Sequence, residues 1–233
     1  MKGSTRCLAV IPARGGSKGL LHKNIRLLDH KPLINYTIEA AMNSHYIDEV
    51  VVSTDSVEIA RIAKSAGAKV PFIRPVELAT DQAASIDVLK HVVHYYEQEK
   101  KSPFEHIMLL QPTSPLRNAN DIDQAYQTFI NNEGDSLQSI TIADNHPYLL
   151  REWNFGKLEP YLKEQTDNLR RQDLSELYVL NGAIYIVERD LLMIQNTMTG
   201  SNNCGYLMPQ ERSVDIDNEL DLKWAEFLIQ ISK

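Results

Sequence analysis

Short apolar runs alternate with amphipathic helical patterns along most of this 233-residue chain, and that order restricts its fold more than any other feature. Residues 8–11, 49–54, 68–73, 106–110 and 136–142 read as strands. Pro32 suits the first turn of a helix running to about Ser44, with Leu33, Ile34, Ile38, Ala41 and Met42 at helical spacing. Ser56 caps a second helix that stops near Gly67. Ser85 caps a third, through Val88, Leu89, Val92, Val93 and Tyr96, and residues 121–129 make a fourth. The core pattern returns at residues 182–187, and Asp217 or Asn218 caps a last helix carrying Leu220, Trp224, Phe227, Leu228 and Ile231. Such an order predicts an α/β, Rossmann-like fold, a mostly parallel sheet with helices on both faces. Ligands of such sheets bind beyond the carboxyl ends of the strands.

Polar residues gather at those ends. The first strand breaks at Pro12 into a loop holding Arg14, Gly15, Gly16, Ser17, Lys18 and Gly19, with Lys23 and Asn24 just beyond. Glycines let the backbone turn sharply, and successive N–H groups then make a concavity for anions. Arg14, Lys18 and Lys23 add positive charge, which suits a polyphosphate such as a nucleoside triphosphate. The spacing does not match a Walker loop, because Gly19 is followed by Leu20, nor the Gly-x-Gly-x-x-Gly dinucleotide fingerprint. An ordinary glycine-rich turn is the competing reading. Ser53-Thr54-Asp55 follows the second strand, and Asp55 either approaches the site or caps the next helix. Gln111 to Arg117 follows the strand at 106–110.

A second cluster lies at Ser213-Val-Asp-Ile-Asp217. In an extended segment alternation puts Asp215 and Asp217 on one face. Two carboxylates beside a polyphosphate suit magnesium, which takes a few hard oxygens and completes its shell with phosphates and water. The alternative is that Asp217 merely caps the last helix. His91 and His94 lie three apart on a helix, but nothing in the sequence completes a zinc set, and a solvated face explains them. No nucleophile elbow of the Gly-x-Ser-x-Gly kind is present.

From residue 144 to 177 the alternation fails. Residues 148–161 read as a hairpin studded with Tyr148, Leu150, Trp153, Phe155 and Tyr161, which is either a packed surface or subunit interface, as aromatic content this dense suggests, or a floppy loop. The whole chain is expected to be one domain spanning 1–233, with this segment inserted in it. Net charge is −7 with both signs interspersed, so no basic stripe points to nucleic acid. No apolar run is long enough to span a membrane. Cys7 and Cys204 are too few for a disulfide framework, which fits a reducing cytoplasm.

Taken together, Ile11-Pro-Ala-Arg-Gly-Gly-Ser-Lys-Gly with Lys23-Asn24, Val52-Ser-Thr-Asp55, the stretch from Arg74 to Ser85, Gln111-Pro-Thr-Ser-Pro-Leu-Arg117, Arg170-Arg-Gln-Asp173, Asn181-Gly-Ala-Ile-Tyr185 and Ser213-Val-Asp-Ile-Asp217 resemble the CMP-sialic acid synthetases, in family order and over nearly the whole chain. The resemblance implies a nucleotidyltransferase that moves CMP from CTP to the anomeric hydroxyl of a nine-carbon 2-keto sugar acid and releases pyrophosphate. It implies that Arg14, Ser17, Lys23 and Asn24 hold the triphosphate and that Arg74 and Ser85 lie by the cytosine and ribose. Gln111 and Arg171 would meet the sugar acid, with Arg171 presenting a planar fork to a carboxylate. Asp215 and Asp217 would hold Mg2+, and with Arg14 and Lys23 they are the expected catalytic set. It further implies a homodimer whose arm, by position residues 144–177, reaches the partner's site. The chain departs from many relatives in reading Val179-Leu180 before Asn181-Gly182 instead of Arg-Pro, and in Leu149, where some carry Lys. Both changes lie near the sugar, so N-acetylneuraminic, legionaminic and pseudaminic acids all stay open as acceptors. Two other classes are a nucleotide-binding regulator without turnover and a nucleotidyltransferase for sugar 1-phosphates.

Overall fold

The computed structural model describes residues 5–16, 19–162, 170, 172 and 174–232. Among these residues ten strands are found, β1 Cys7–Pro12, β2 Leu27–Leu28, β3 Lys31–Pro32, β4 Glu49–Ser53, β5 His106–Leu110, β6 Ser136–Ile142, β7 Arg151–Asn154, β8 Lys157–Pro160, β9 Tyr178–Glu188 and β10 Asn203–Leu207. Six helices join them, α1 Leu33–Met42, α2 Val57–Ser65, α3 Ser85–Gln98, α4 Ala119–Asn131, α5 Arg189–Met193 and α6 Glu219–Ile231.

The main sheet has the order β10-β6-β9-β5-β1-β4. β1 runs parallel to both β4 and β5, and β10 runs parallel to β6. β9 is antiparallel to β5 on one side and β6 on the other, so its first residues lie where its neighbours end. The chain leaves β1 for β4 on one side and returns to β5 on the other, which opens a crevice at the carboxyl end of β1.

Alternation along the strands builds two cores. Cys7, Ala9 and Ile11 of β1 face Ile34, Ile38, Ile59 and Phe129 of the helices on one side. Leu8 and Val10 face Leu89, Val92, Val93 and Leu192 on the other. A sheet buried on both faces needs such unbroken apolar strands, and these have them. A third cluster, with Leu20, Leu33, Ile216 and Leu222, ties the glycine loop, α1 and α6 together.

Several local expectations are corrected. Ala84, not Ser85, is the N-cap of α3, and Ser85 is its first helical residue. Pro32 likewise precedes α1 as its N-cap. The segment 68–73 makes a single bridge, Val51 to Lys69, because Pro71 lacks an N–H to continue the ladder. β10 at the sheet edge and the short α5 were not foreseen. α6 is capped by Asn218, whose side chain accepts from Leu220 and Asp221 N–H while Asp221 reaches back to the Asn218 N–H. That capping box frees Asp217 from the capping role. The hairpin formed by β7 and β8 turns at Phe155-Gly156 and is exposed throughout.

Candidate active site

The loop after β1 is held by its neighbours rather than by its own side chains. Ala13 N–H donates to the Ser53 carbonyl at 2.9 Å. Gly15 N–H donates to Asp55 Oδ1 at 2.8 Å, so Asp55, the end of a strand in sequence, is a support of the loop. Asn24 is buried and its Nδ2 donates to the Arg14 carbonyl at 2.9 Å. Arg14 itself forms an ion pair with Asp81 across the mouth. A Cβ at Gly19 would stand 2.5 Å from the Asp217 carbonyl, so only glycine lets the loop approach that segment.

Arg74 lies behind the loop, 5% exposed. Its Nε donates to Ser53 Oγ at 3.0 Å, and its Nη2 bonds the Ser53 carbonyl. Loss of water holds its guanidinium down to about 10, with Asp55 pulling the other way, so it stays charged at neutral pH. Together with Lys23, Ser85 and the strand ends, these groups enclose a cavity of about 590 Å³.

A second cavity, of about 920 Å³, opens on the β9 side. Gln111 and Asp215 line both cavities and mark where the two meet. The larger one has a polar floor that includes Asn181 and Ser213, and an apolar side of Ile142, Val179, Leu180, Trp224 and Leu228. Its described lining holds no cationic side chain.

The carboxylate pair stands as alternation predicts. Ile216 is fully buried and its N–H donates to the Thr113 carbonyl at 2.9 Å, leaving Asp215 and Asp217 on the open face. Lys23 Nζ reaches Asp217 Oδ1 at 2.9 Å, linking the glycine loop to the pair. Arg26 Nη2 lies 3.1 Å from each carboxylate oxygen of Glu219 and anchors the start of α6 to the same turn. The Asp215 carboxyl is pushed above the usual range, first by loss of water and then by Asp217 and Asp221; a hydrogen bond from Thr113 and the Lys23 charge oppose this. The region carries negative charge that Lys23 only partly offsets.

The structure thus gathers Arg14, Lys23, Asn24, Arg74, Ser85, Gln111, Asp215 and Asp217 around two adjoining cavities. Ser17 and Arg171 lie outside the described residues. Asp81, Thr113 and Gly182 join the site without having been singled out, while Asp55 takes the first of the two roles left open for it, because Ser56 caps the next helix. For Gly182 a signal existed, since Asn-Gly inside a strand pattern marks a bulge or a close backbone approach. His91 packs edge-on against Phe72, ring centroids 4.5 Å apart. Among the described residues no three His, Cys, Asp or Glu side chains are grouped to hold a metal ion, and no helix is long and apolar enough to cross a membrane.

Comparison with known proteins finds relatives over most of the chain. A family model described as cytidylyltransferase matches residues 8–215. The post-translational flagellin modification protein B of Campylobacter coli is 39% identical over 225 residues, covering 96% of this chain and 94% of that one. The CMP-N,N'-diacetyllegionaminic acid synthase of Campylobacter jejuni is 38% identical over 226 residues, covering 96% and 95%. The N-acylneuraminate cytidylyltransferase of Escherichia coli is 36% identical over 224 residues, covering 95% of this chain and 51% of that longer relative.

Proposed function

This chain belongs to the cytidylyltransferase family, and on that footing we propose that it transfers CMP from CTP to the anomeric hydroxyl of a nonulosonic acid and releases pyrophosphate. The observation that carries the reading is the pair of cavities meeting at Gln111 and Asp215. One is walled by Arg14, Lys23 and Arg74 and suits a nucleoside triphosphate. The other is larger and suits a nine-carbon acid.

The anomeric oxygen attacks the α-phosphorus in line with departing pyrophosphate. Positioning and charge neutralisation do most of the work in such transfers. Arg14, Lys23 and the loop N–H groups other than those of Ala13 and Gly15 take the phosphates, with Ser17 and Asn24 completing the loop. Arg74 and Ser85 lie toward the base and ribose. Gln111 stands between donor and acceptor, where it orients the sugar acid. The acceptor carboxylate needs a cation that the larger cavity's described lining does not supply, and Arg171 is the residue proposed for it.

Asp215 and Asp217 fit a divalent cation, proposed to be Mg2+. They are hard oxygen donors at the edge of the phosphate cavity, and the Asp215 carboxyl is raised first by loss of water and then by the neighbouring Asp217 and Asp221 carboxylates, a charge that a cation would offset. Such an ion would supply charge neutralisation on the transferred phosphate. The chain's own part is to hold the two carboxylates on one face, through buried Ile216, and to place Lys23 against Asp217.

The exposed hairpin supports a homodimer. Trp153 is 76% exposed and Leu158 69%, more apolar surface than a lone hairpin keeps in water. The unit is one nucleotidyltransferase domain with residues 144–177 as its dimerisation arm, working on soluble substrates in the cytoplasm.

Among acceptors, the apolar side of the larger cavity favours deoxy, diacylamido acids of the legionaminic or pseudaminic kind over N-acetylneuraminic acid. Val179 and Leu180 are about half exposed there, and methyl or acetyl groups would cover them. Supplying the three acids side by side with CTP tests both statements. A CMP conjugate of at least one acid is expected, with kcat/KM about tenfold or more higher for a diacylamido acid. No conjugate with any of them would overturn the reaction, and preference for N-acetylneuraminic acid would overturn the acceptor assignment.

A further inference from the structure

β9 does not run smoothly past β6. Gln138 faces Tyr185 and Ile140 faces Leu180, so Ser139 alone is opposed by residues 181–184. Bulges of this kind re-aim the chain beside active sites. This one is built from inside. Ser139, 1% exposed, donates from Oγ to Asn181 Oδ1 at 2.6 Å and accepts from Ile184 N–H at 2.8 Å. Asn181 Nδ2 donates in turn to Ser213 Oγ at 2.9 Å, two residues from Asp215.

At the turn of the bulge Gly182 has φ +74°, and a Cβ there would stand 2.9 Å from Gln111 Oε1. The Gln111 backbone is fixed separately. Its carbonyl accepts from Arg117 Nη2 at 3.2 Å, and Arg117 is 1% exposed, with its Nε bonded to the Ala183 carbonyl at 3.2 Å. With its backbone held, it is the Gln111 side chain, which lines the junction of the cavities, that must shift if the space at Gly182 fills.

We propose that Gly182 is a positioning residue for acceptor binding: the bulge at 181–184 leaves the space in which the Gln111 carboxamide stands between the two cavities. The inference rests on the proposed reading of the larger cavity as the acceptor's place.

A double-mutant cycle tests it. Gly182→Ala should raise KM for the acid or lower its kcat/KM at least tenfold while CTP affinity by calorimetry stays within twofold. In a Gln111→Ala background, where no carboxamide competes for the space, adding Gly182→Ala should cost less than threefold. Equal penalties in both backgrounds would show that the strained φ alone is responsible and would overturn the proposal. So would a parallel fall in CTP affinity, or unchanged kinetics. Ser139→Ala, which loosens the bulge without filling it, should shift the acid KM the same way, and it decides the matter should Gly182→Ala fail to fold; an unchanged acid KM in Ser139→Ala then counts against the proposal. If the unaltered protein binds CTP but makes no conjugate with any nonulosonic acid, the proposed reaction fails instead, before the cycle is reached.

Discussion

Replacing Lys23 by Met should separate binding from stability. Lys23 Nζ lies 2.9 Å from Asp217 Oδ1, but the Asp217 side chain is 74% exposed. The Lys23 side chain is only 17% exposed, but its carboxylate partner is open to water and Met keeps the packed stem, so the pair contributes about 0–1 kcal/mol and its loss should lower the melting temperature by no more than about 2–4 °C for a chain of this size. The same ammonium projects into the phosphate cavity, where Met keeps the stem and removes the charge. A hydrogen bond to a charged group is worth about 1.5–3 kcal/mol, or roughly ten- to 150-fold in affinity. Calorimetric titration with CTP reads the second quantity, and scanning calorimetry without ligand reads the first. The loss should also shrink as salt rises, because it is a charge effect. CTP affinity within threefold of the parent, or a melting loss above about 6 °C, would refute this placement of Lys23.

Other outcomes follow from the same geometry. Asp215→Asn should remove most turnover without lowering the melting temperature, since the ionised form of a carboxyl raised above its usual value opposes folding at neutral pH; activity near that of the parent with Mg2+ present would refute it. The cation-dependent part of CTP binding in the parent should weaken as pH falls through that raised value, and titrations between pH 4 and about 7 measure it. Arg212→Gln leaves fully buried Asp121 without the Arg212 Nε and Nη2 bonds at 2.9 and 2.8 Å, and should cost on the order of 3 kcal/mol, seen as a melting drop of roughly 6–12 °C. Removing residues 145–167 should give a monomer by light scattering with little activity, and a truncated protein that stays dimeric would place the interface elsewhere.

The fold was legible where apolar side chains repeat with a clear period. β1, β4, β5 and β6 are buried runs, and their alternate residues feed the two cores seen on either face. The parallel order follows from helices lying between them. β10 was not legible, because Asn203–Leu207 is an edge strand with little buried surface and its pairing with β6 is made from a distance of more than sixty residues. The Asp215 and Asp217 arrangement was readable from alternation alone, since Ile216 between them had to face the core. What alternation left open was which residue caps α6, and the backbone hydrogen bonds of Asn218 and Asp221 answer it. The supports of the glycine loop were harder to read. Asp55 bonds Gly15, 40 residues away, and the same holds at the β9 bulge, where Arg117 bonds Ala183, 66 residues away. Such partners are set by the sheet order, which local patterns do not carry.

The account stands most directly on one measurement: pyrophosphate release from CTP, followed with and without a nonulosonic acid in the presence of Mg2+. Pyrophosphate and CMP-linked acid should appear in equal amounts, only when the acid is present, and not with a sugar 1-phosphate in its place. CTP that binds without ever yielding pyrophosphate in the presence of N-acetylneuraminic, legionaminic or pseudaminic acid would contradict it, as would turnover with a sugar 1-phosphate alone.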